Sequence, residues 1–117
     1  MKVLLVEDEF DINSLYKEIL SQNGIQVDSS TEGDGAFEKV KKGDFDVLIL
    51  DLILPNKDGI SILKDSHKAG YLKDKKVMIL SNVDRADVEE LSQDYGVLKY
   101  VIKDINPQEL VDIVLSL

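Results

Sequence analysis

Five short apolar runs, at residues 3–6, 25–28, 47–50, 77–80 and 100–102, are separated by stretches in which apolar residues recur at helical spacing. That alternation predicts an α/β domain, because a strand followed by a helix packs back beside the previous strand. Four of the runs are continuously apolar and suit the interior of a parallel sheet covered on both faces. The run at 25–28, where Ile25 and Val27 alternate with polar residues, suits a half-covered edge. Between the runs, Ile12, Leu15, Tyr16, Ile19 and Leu20 make one helical stripe, and Leu110, Ile113, Val114 and Leu117 make another. Weaker helices are expected over 36–40, 60–66 and 85–95. Thr31 is the expected cap of the second helix, Asp84 that of the fourth, and Asn106 with Pro107 and Glu109 opens the fifth. Gly24 and Gly43 are expected to stop the first two helices. No repeat, low-complexity tract or linker interrupts the pattern, so residues 1–117 are expected to form one domain.

Charge and composition exclude several functions. The formal net charge of −9 opposes phosphate backbones and anionic lipid, so neither direct nucleic-acid binding nor membrane attachment is expected. The absence of cysteine removes disulfides and thiolate metal sites, and no secretory pattern precedes the first run; a cytoplasmic protein is expected. The apolar runs fall well short of the roughly 20 residues needed to cross a bilayer.

Ligands of an open α/β sheet bind beyond the carboxyl ends of its strands. There the chain places Glu7 and Asp8 after the first run, Asp51 after the third, Ser81 after the fourth and Lys103 after the fifth. Each alone is an ordinary turn or capping residue. Parallel strands would bring them to one rim, where three carboxylates repel unless a cation compensates. With oxygen ligands and no cysteine or histidine nearby, Mg²⁺ is the expected ion. A carboxylate such as Asp51 can then act as nucleophile toward phosphorus, with a lysine and Ser81 bonding to the phosphoryl oxygens.

The motifs Val-Glu-Asp-Glu at 6–9, Leu-Asp-Leu-Ile-Leu-Pro-Asn-Lys-Asp-Gly at 50–59, Ile-Leu-Ser-Asn at 79–82 and Tyr-Val-Ile-Lys at 100–103 resemble, in order and spacing, those of the response-regulator receiver domains. The resemblance runs from Val3 to about Leu117. It implies a flavodoxin-like (βα)5 three-layer sandwich with strand order 2-1-3-4-5. It also implies Asp51 as phosphoacceptor, and a Mg²⁺ site made by Asp8, Asp51 and the Ile53 backbone carbonyl, with Glu7 acting mainly through water. Ser81 and Lys103 would contact the phosphoryl group, and Tyr100 would be the switch aromatic. The implied donor is a phosphohistidine on a sensor histidine kinase or histidine phosphotransfer protein. The implied output is a face made by the fourth helix, fifth strand and fifth helix, read by an effector domain or protein. On this reading the domain is no enzyme on outside substrates and catalyses only its own phosphorylation and dephosphorylation.

The chain departs from the family pattern at three places. Asp104 follows Lys103 where relatives carry a proline, so a trans peptide is expected there. Leu98 and Lys99 stand where winged-helix regulators have an acidic pair, and Asn82 stands where alanine is common. Ile53 and Val83 flank the path of hydrolytic water and, being apolar, predict a slow loss of the phosphoryl group. His67 has no catalytic company and is expected at the surface. A haloacid-dehalogenase-like phosphatase would need a second aspartate at position 53, and a flavodoxin would need a Ser/Thr-rich loop in place of Glu7-Asp8-Glu9. A receiver fold kept only for docking is opposed by the complete set of acids and lysine.

Overall fold

The computed structural model describes residues 1–82 and 84–117. The elements run β1 (Lys2–Val6), α1 (Phe10–Gln22), β2 (Gln26–Ser30), α2 (Gly33–Lys42), β3 (Val47–Leu50), α3 (Gly59–Lys68), β4 (Lys76–Ser81), α4 (Val88–Tyr95), β5 (Val97–Ile102) and α5 (Pro107–Ser116). The strands form one parallel sheet in the order β2-β1-β3-β4-β5.

Side chains alternate across the sheet, so the central strands β1, β3 and β4 each feed two cores. Leu4, Val6, Leu48, Leu50, Val77 and Ile79 pack under α2, α3 and α4, meeting Ala36, Val40, Ile62, Leu63 and Leu91. Val3, Leu5, Val47, Ile49, Met78 and Leu80 pack on the opposite face against Tyr16 and Leu20 of α1 and Leu110, Val111 and Val114 of α5. This is the three-layer sandwich that the resemblance to receiver domains implies, with β1, β3 and β4 buried in the middle.

The differences from expectation are local. β2 starts one residue later than expected and ends two later; it starts later because the Ile25 amide still closes the end of α1 by donating to the Leu20 carbonyl at 3.1 Å. β5 begins at Val97, not at Tyr100. Its register against β4 skips Leu98, since Val77 pairs with Val97 and Met78 with Lys99, and Leu98 is thrown out to solvent at 56% exposure. Leu15 is also largely exposed, since the buried seam of α1 is Asn13, Tyr16 and Leu20. Glu32, not Thr31, caps α2, its carboxylate accepting from the Gly35 amide at 3.0 Å. Asp84 does not cap α4: the cap position is Asp87, whose carboxylate is held instead by a two-pronged Arg85 contact at 2.7 Å. Asn106 caps α5 as expected, accepting from the Glu109 amide at 2.9 Å while Glu109 accepts from its side chain at 2.7 Å. Gly24 and Gly43 take left-handed conformations just past α1 and α2, as helix stops do. Among the described residues no helix is long and apolar enough to cross a membrane.

Candidate functional site

The sheet ladder continues one residue beyond three strands, and this fixes the site. The Glu7 amide donates to the Ser30 carbonyl at 3.1 Å, Asp51 to Val6 at 3.0 Å and Lys103 to Ser81 at 3.0 Å. Glu7, Asp51 and Lys103 therefore leave the carboxyl edge with backbones as ordered as the strands themselves. The peptide joining Lys103 to Asp104 is trans, as expected without proline.

Two further contacts set the loops. Asn13, buried on the first turn of α1, donates from Nδ2 to the Glu7 carbonyl at 3.0 Å and to the Ser30 carbonyl at 3.3 Å, so it holds the acidic turn to the end of β2. Gly59 donates to the Leu52 carbonyl at 2.8 Å, and a Cβ there would sit 2.2 Å from the Asp51 carbonyl oxygen. Only glycine permits α3 to start that close to the end of β3.

The Lys103 ammonium lies 2.5 Å from Glu7 Oε2 and 2.8 Å from Asp51 Oδ2, with all three side chains at most 5% exposed. Burial alone would push Lys103 toward deprotonation. The hydrogen bonds and charges of Asp51 and Glu7 outweigh it and hold Lys103 above the usual lysine range. Burial dominates at Glu7 and, with the neighbouring Asp51 and Asp8 charges, raises it to about 7 in spite of Lys103. One carboxylate oxygen from each of Glu7, Asp8 and Asp51 lies within 4.8 Å of the others. Glu7 Oε1 is buried without a hydrogen-bond partner, and Asp51 Oδ1 accepts from the Ile53 amide at 3.2 Å. An acceptor left unsatisfied beside two further carboxylates is a donor set suited to a hard divalent cation.

A cleft of about 110 Å³ opens over this cluster, lined by Asp8, Glu9, Asp51, Ile53, Asn82 and Lys103. The Ile53 side chain stands 60% exposed at its mouth. Val83, the other residue expected to flank the water path, lies outside the described residues. Ser81 is fully buried at the end of β4, and its side chain acts on the phenol of Tyr100, whose partner across the ladder is Ile79, two residues before Ser81. Tyr100 is half-buried against the α2–α3–α4 core; burial raises its phenol, opposed by Arg85 and by Ser81. His67 is exposed, as expected, with its ring edge-on to Tyr95 at 5.4 Å.

The strand-end residues thus converge as Glu7, Asp8, Asp51 and Lys103, with Ser81 and Tyr100 beside them. The sequence reading passed over Asn13 and quoted Gly59 and Glu9 only within motifs. Asn13 had a legible signal, a lone amide on an otherwise apolar helical seam.

A parallel five-stranded sheet in this order, carrying an acidic cluster and a lysine at its carboxyl edge, defines a phosphoryl-accepting signalling domain. A sequence model described as the response regulator receiver domain matches residues 3–115, and the chain belongs to that family. Domains of this family are phosphorylated on an aspartate with Mg²⁺ and serve two-component signalling. The chain is 30% identical to the transcriptional regulatory protein DltR of Streptococcus agalactiae over 95% of its own length and 49% of the relative's. It is 29% identical to sporulation initiation phosphotransferase F of Bacillus subtilis over 97% of itself and 90% of that protein. The structure of response regulator TrrA from Thermotoga maritima in complex with Mg²⁺ and BeF superposes with a TM-score of 0.82 at 30% identity, covering 98% of this chain and 96% of that one. The chain spans about half the length, or less, of the first relatives it matches.

Proposed function

We propose that Asp51 accepts the phosphoryl group and that residues 1–117 act as a single receiver domain in the cytoplasm. The observation that carries this reading is Lys103 lying between Glu7 and Asp51 at the strand edge, beside a three-carboxylate cluster. An Asp51 carboxylate oxygen attacks phosphorus of a phosphohistidine. The P–N bond breaks as the O–P bond forms, and the electron pair returns to the imidazole. The donor is a sensor histidine kinase or histidine phosphotransfer protein, and catalysis extends only to the domain's own phosphorylation and dephosphorylation.

Glu7, Asp8, Asp51 and the Ile53 carbonyl would hold Mg²⁺, Glu7 mainly through water. When bound, the ion neutralises charge on the transferring oxygens. Lys103 contacts the phosphoryl group, and the hydroxyl of Ser81 donates to it. Because the Ser81 side chain neighbours the Tyr100 phenol, its movement shifts the population of Tyr100 conformers and thereby the α4–β5–α5 face that a downstream partner reads. The acidic charge of the chain supports neither nucleic-acid nor membrane binding by this domain.

The test is intact mass after treatment with acetyl phosphate, with and without Mg²⁺. One phosphoryl group should be gained in wild type with Mg²⁺ and none in Asp51→Asn. Undiminished phosphorylation of that variant would reject the assignment.

A further inference from the structure

Residues 52–58 carry the Ile53 carbonyl assigned above to the metal, and the inference rests on that assignment. This loop is tied to its own strand by the Gly59 and Ile53 amide bonds, and it is also tied to a helix that contributes nothing to the acidic cluster. The Gly33 amide of α2 donates to the Pro55 carbonyl at 3.0 Å. Asn56, in the left-handed region at φ +71°, donates from Nδ2 to Glu32 Oε2, while Glu32 Oε1 caps α2 through Gly35. A Cβ on Gly33 would sit 1.7 Å from the Lys57 carbonyl oxygen and 2.6 Å from its nitrogen, so the loop backbone lies directly on the first turn of the helix. Beyond that contact Lys57 pairs with Asp65 of α3 at 2.5 Å and lies 4.9 Å over the Phe37 ring of α2. The φ of Gly33 lies outside the left-handed region, so close approach, not backbone conformation, is what requires glycine there.

We propose that the Glu32–Gly33 turn is a strap that sets the position of residues 53–56, making Glu32, Gly33 and Asn56 positioning residues for the Ile53 carbonyl. A carbonyl on a connecting loop has no strand ladder to fix it, and a ligand oxygen displaced by a few tenths of an ångström falls outside the narrow range that Mg²⁺ accepts. The strap supplies the constraint that the ladder gives to Glu7 and Asp51.

The experiment is a Mg²⁺ titration followed by the backbone amide shifts of the loop, on wild type, Gly33→Ala, Asn56→Gly, the double variant Glu32→Gln/Asn56→Asp, and Asp8→Asn. Urea midpoints are measured alongside. Gly33→Ala forces the loop off the helix, and Asn56→Gly removes the amide while tolerating the left-handed backbone. Each should weaken Mg²⁺ binding by about tenfold, which is about 1.4 kcal/mol. The double variant keeps net charge and reverses the hydrogen bond, since Gln donates to Asp while its carbonyl caps the helix, so it should bind as wild type does. Asn56→Gly carries the test if Gly33→Ala does not fold. Lowered urea midpoints with unchanged Mg²⁺ affinity in both single variants would overturn the strap, and loss of Mg²⁺ in Asp8→Asn would then leave the metal site standing. Wild-type Mg²⁺ affinity in Asp8→Asn would overturn the metal assignment and the strap with it.

Discussion

Replacing Lys103 with methionine removes the one ammonium that contacts both Glu7 and Asp51 and leaves a side chain of similar length in its place. Taking one partner from a buried ion pair costs about 3–5 kcal/mol, because the remaining charge stays out of water without compensation. Here two carboxylates are stranded, so the upper part of that range is expected near pH 8 without metal. With a urea slope of about 1–3 kcal/mol per molar, the unfolding midpoint should fall by roughly 1.3–5 M. Glu7 gives the loss a pH dependence. Its folded pKa of about 7 lies above the unfolded 4.5, so between those values the native state keeps a proton that the unfolded state releases, and stability falls as pH rises through the window. Lys103 opposes that shift, so its removal moves the upper edge of the window higher. The deficit of the variant should therefore be largest near pH 8 and smaller near pH 5, where Glu7 is protonated. Lys103 itself, held above the usual lysine range, stays charged throughout the comparison. Urea unfolding of both proteins at the two pH values, in chelator and again in excess Mg²⁺, measures this. Mg²⁺ should restore much of the loss. Equal midpoints near pH 8, or a deficit of the same size at both pH values, would refute the view of Lys103 as an internal counter-ion.

Asn13→Ala should cost about 1–3 kcal/mol in urea unfolding, since the Glu7 carbonyl loses a buried donor. Ser66→Ala should stabilise by up to about 1 kcal/mol, because the Ser66 hydroxyl is buried in α3 without a partner and alanine favours the helix; a lower urea midpoint would contradict it. Ile53→Asn should speed loss of the phosphoryl group, by about tenfold for each ~1.4 kcal/mol of barrier removed, because an amide at the cleft mouth can orient water where a branched apolar group cannot. Decay followed by intact mass in Mg²⁺ checks it. Tyr100→Phe should leave phosphorylation of Asp51 near the wild-type rate and reduce the chemical-shift response of α4 and α5 to beryllofluoride, since it deletes the hydroxyl on which the Ser81 side chain acts.

The sheet and its acidic edge were legible because they depend on short-range signals. Continuous apolar runs mark central strands, and the first polar residue after each falls at the carboxyl edge; Glu7, Asp51 and Lys103 were found that way. Helix rotation was less legible. The stripe of α1 contains more apolar residues than its buried seam can take, so Leu15 reads as core yet faces solvent, while the polar Asn13 is inside. Caps were degenerate: Thr31 and Glu32 are adjacent acceptors, and only the approach of the residue 52–58 loop to Gly33 selects between their backbones. Asp84 is no cap because α4 starts later, at Val88, and the residue at its cap position, Asp87, has its carboxylate taken by Arg85. The skipped Leu98 is a property of two strands in register, which neither strand's sequence carries alone.

Charge counting explains why one site both binds and signals. Three carboxylates facing one ammonium leave a surplus of two negative charges at the edge, which a divalent cation balances. A phosphoryl group brings about −1.5 to −2 in place of the single charge of the Asp51 carboxylate, so up to about one negative charge returns once the group is attached. That charge is stabilised only by further hydrogen-bond donors. β3 and β4 are in register with Leu50 opposite Ile79, which puts the residue after Leu50 beside the end of β4, where Ser81 is buried. On the proposed function, a Ser81 hydroxyl drawn toward Asp51 leaves its place beside Tyr100 on the edge strand β5. The proposed signal therefore runs from the charge added at Asp51 through two side chains to the outer face.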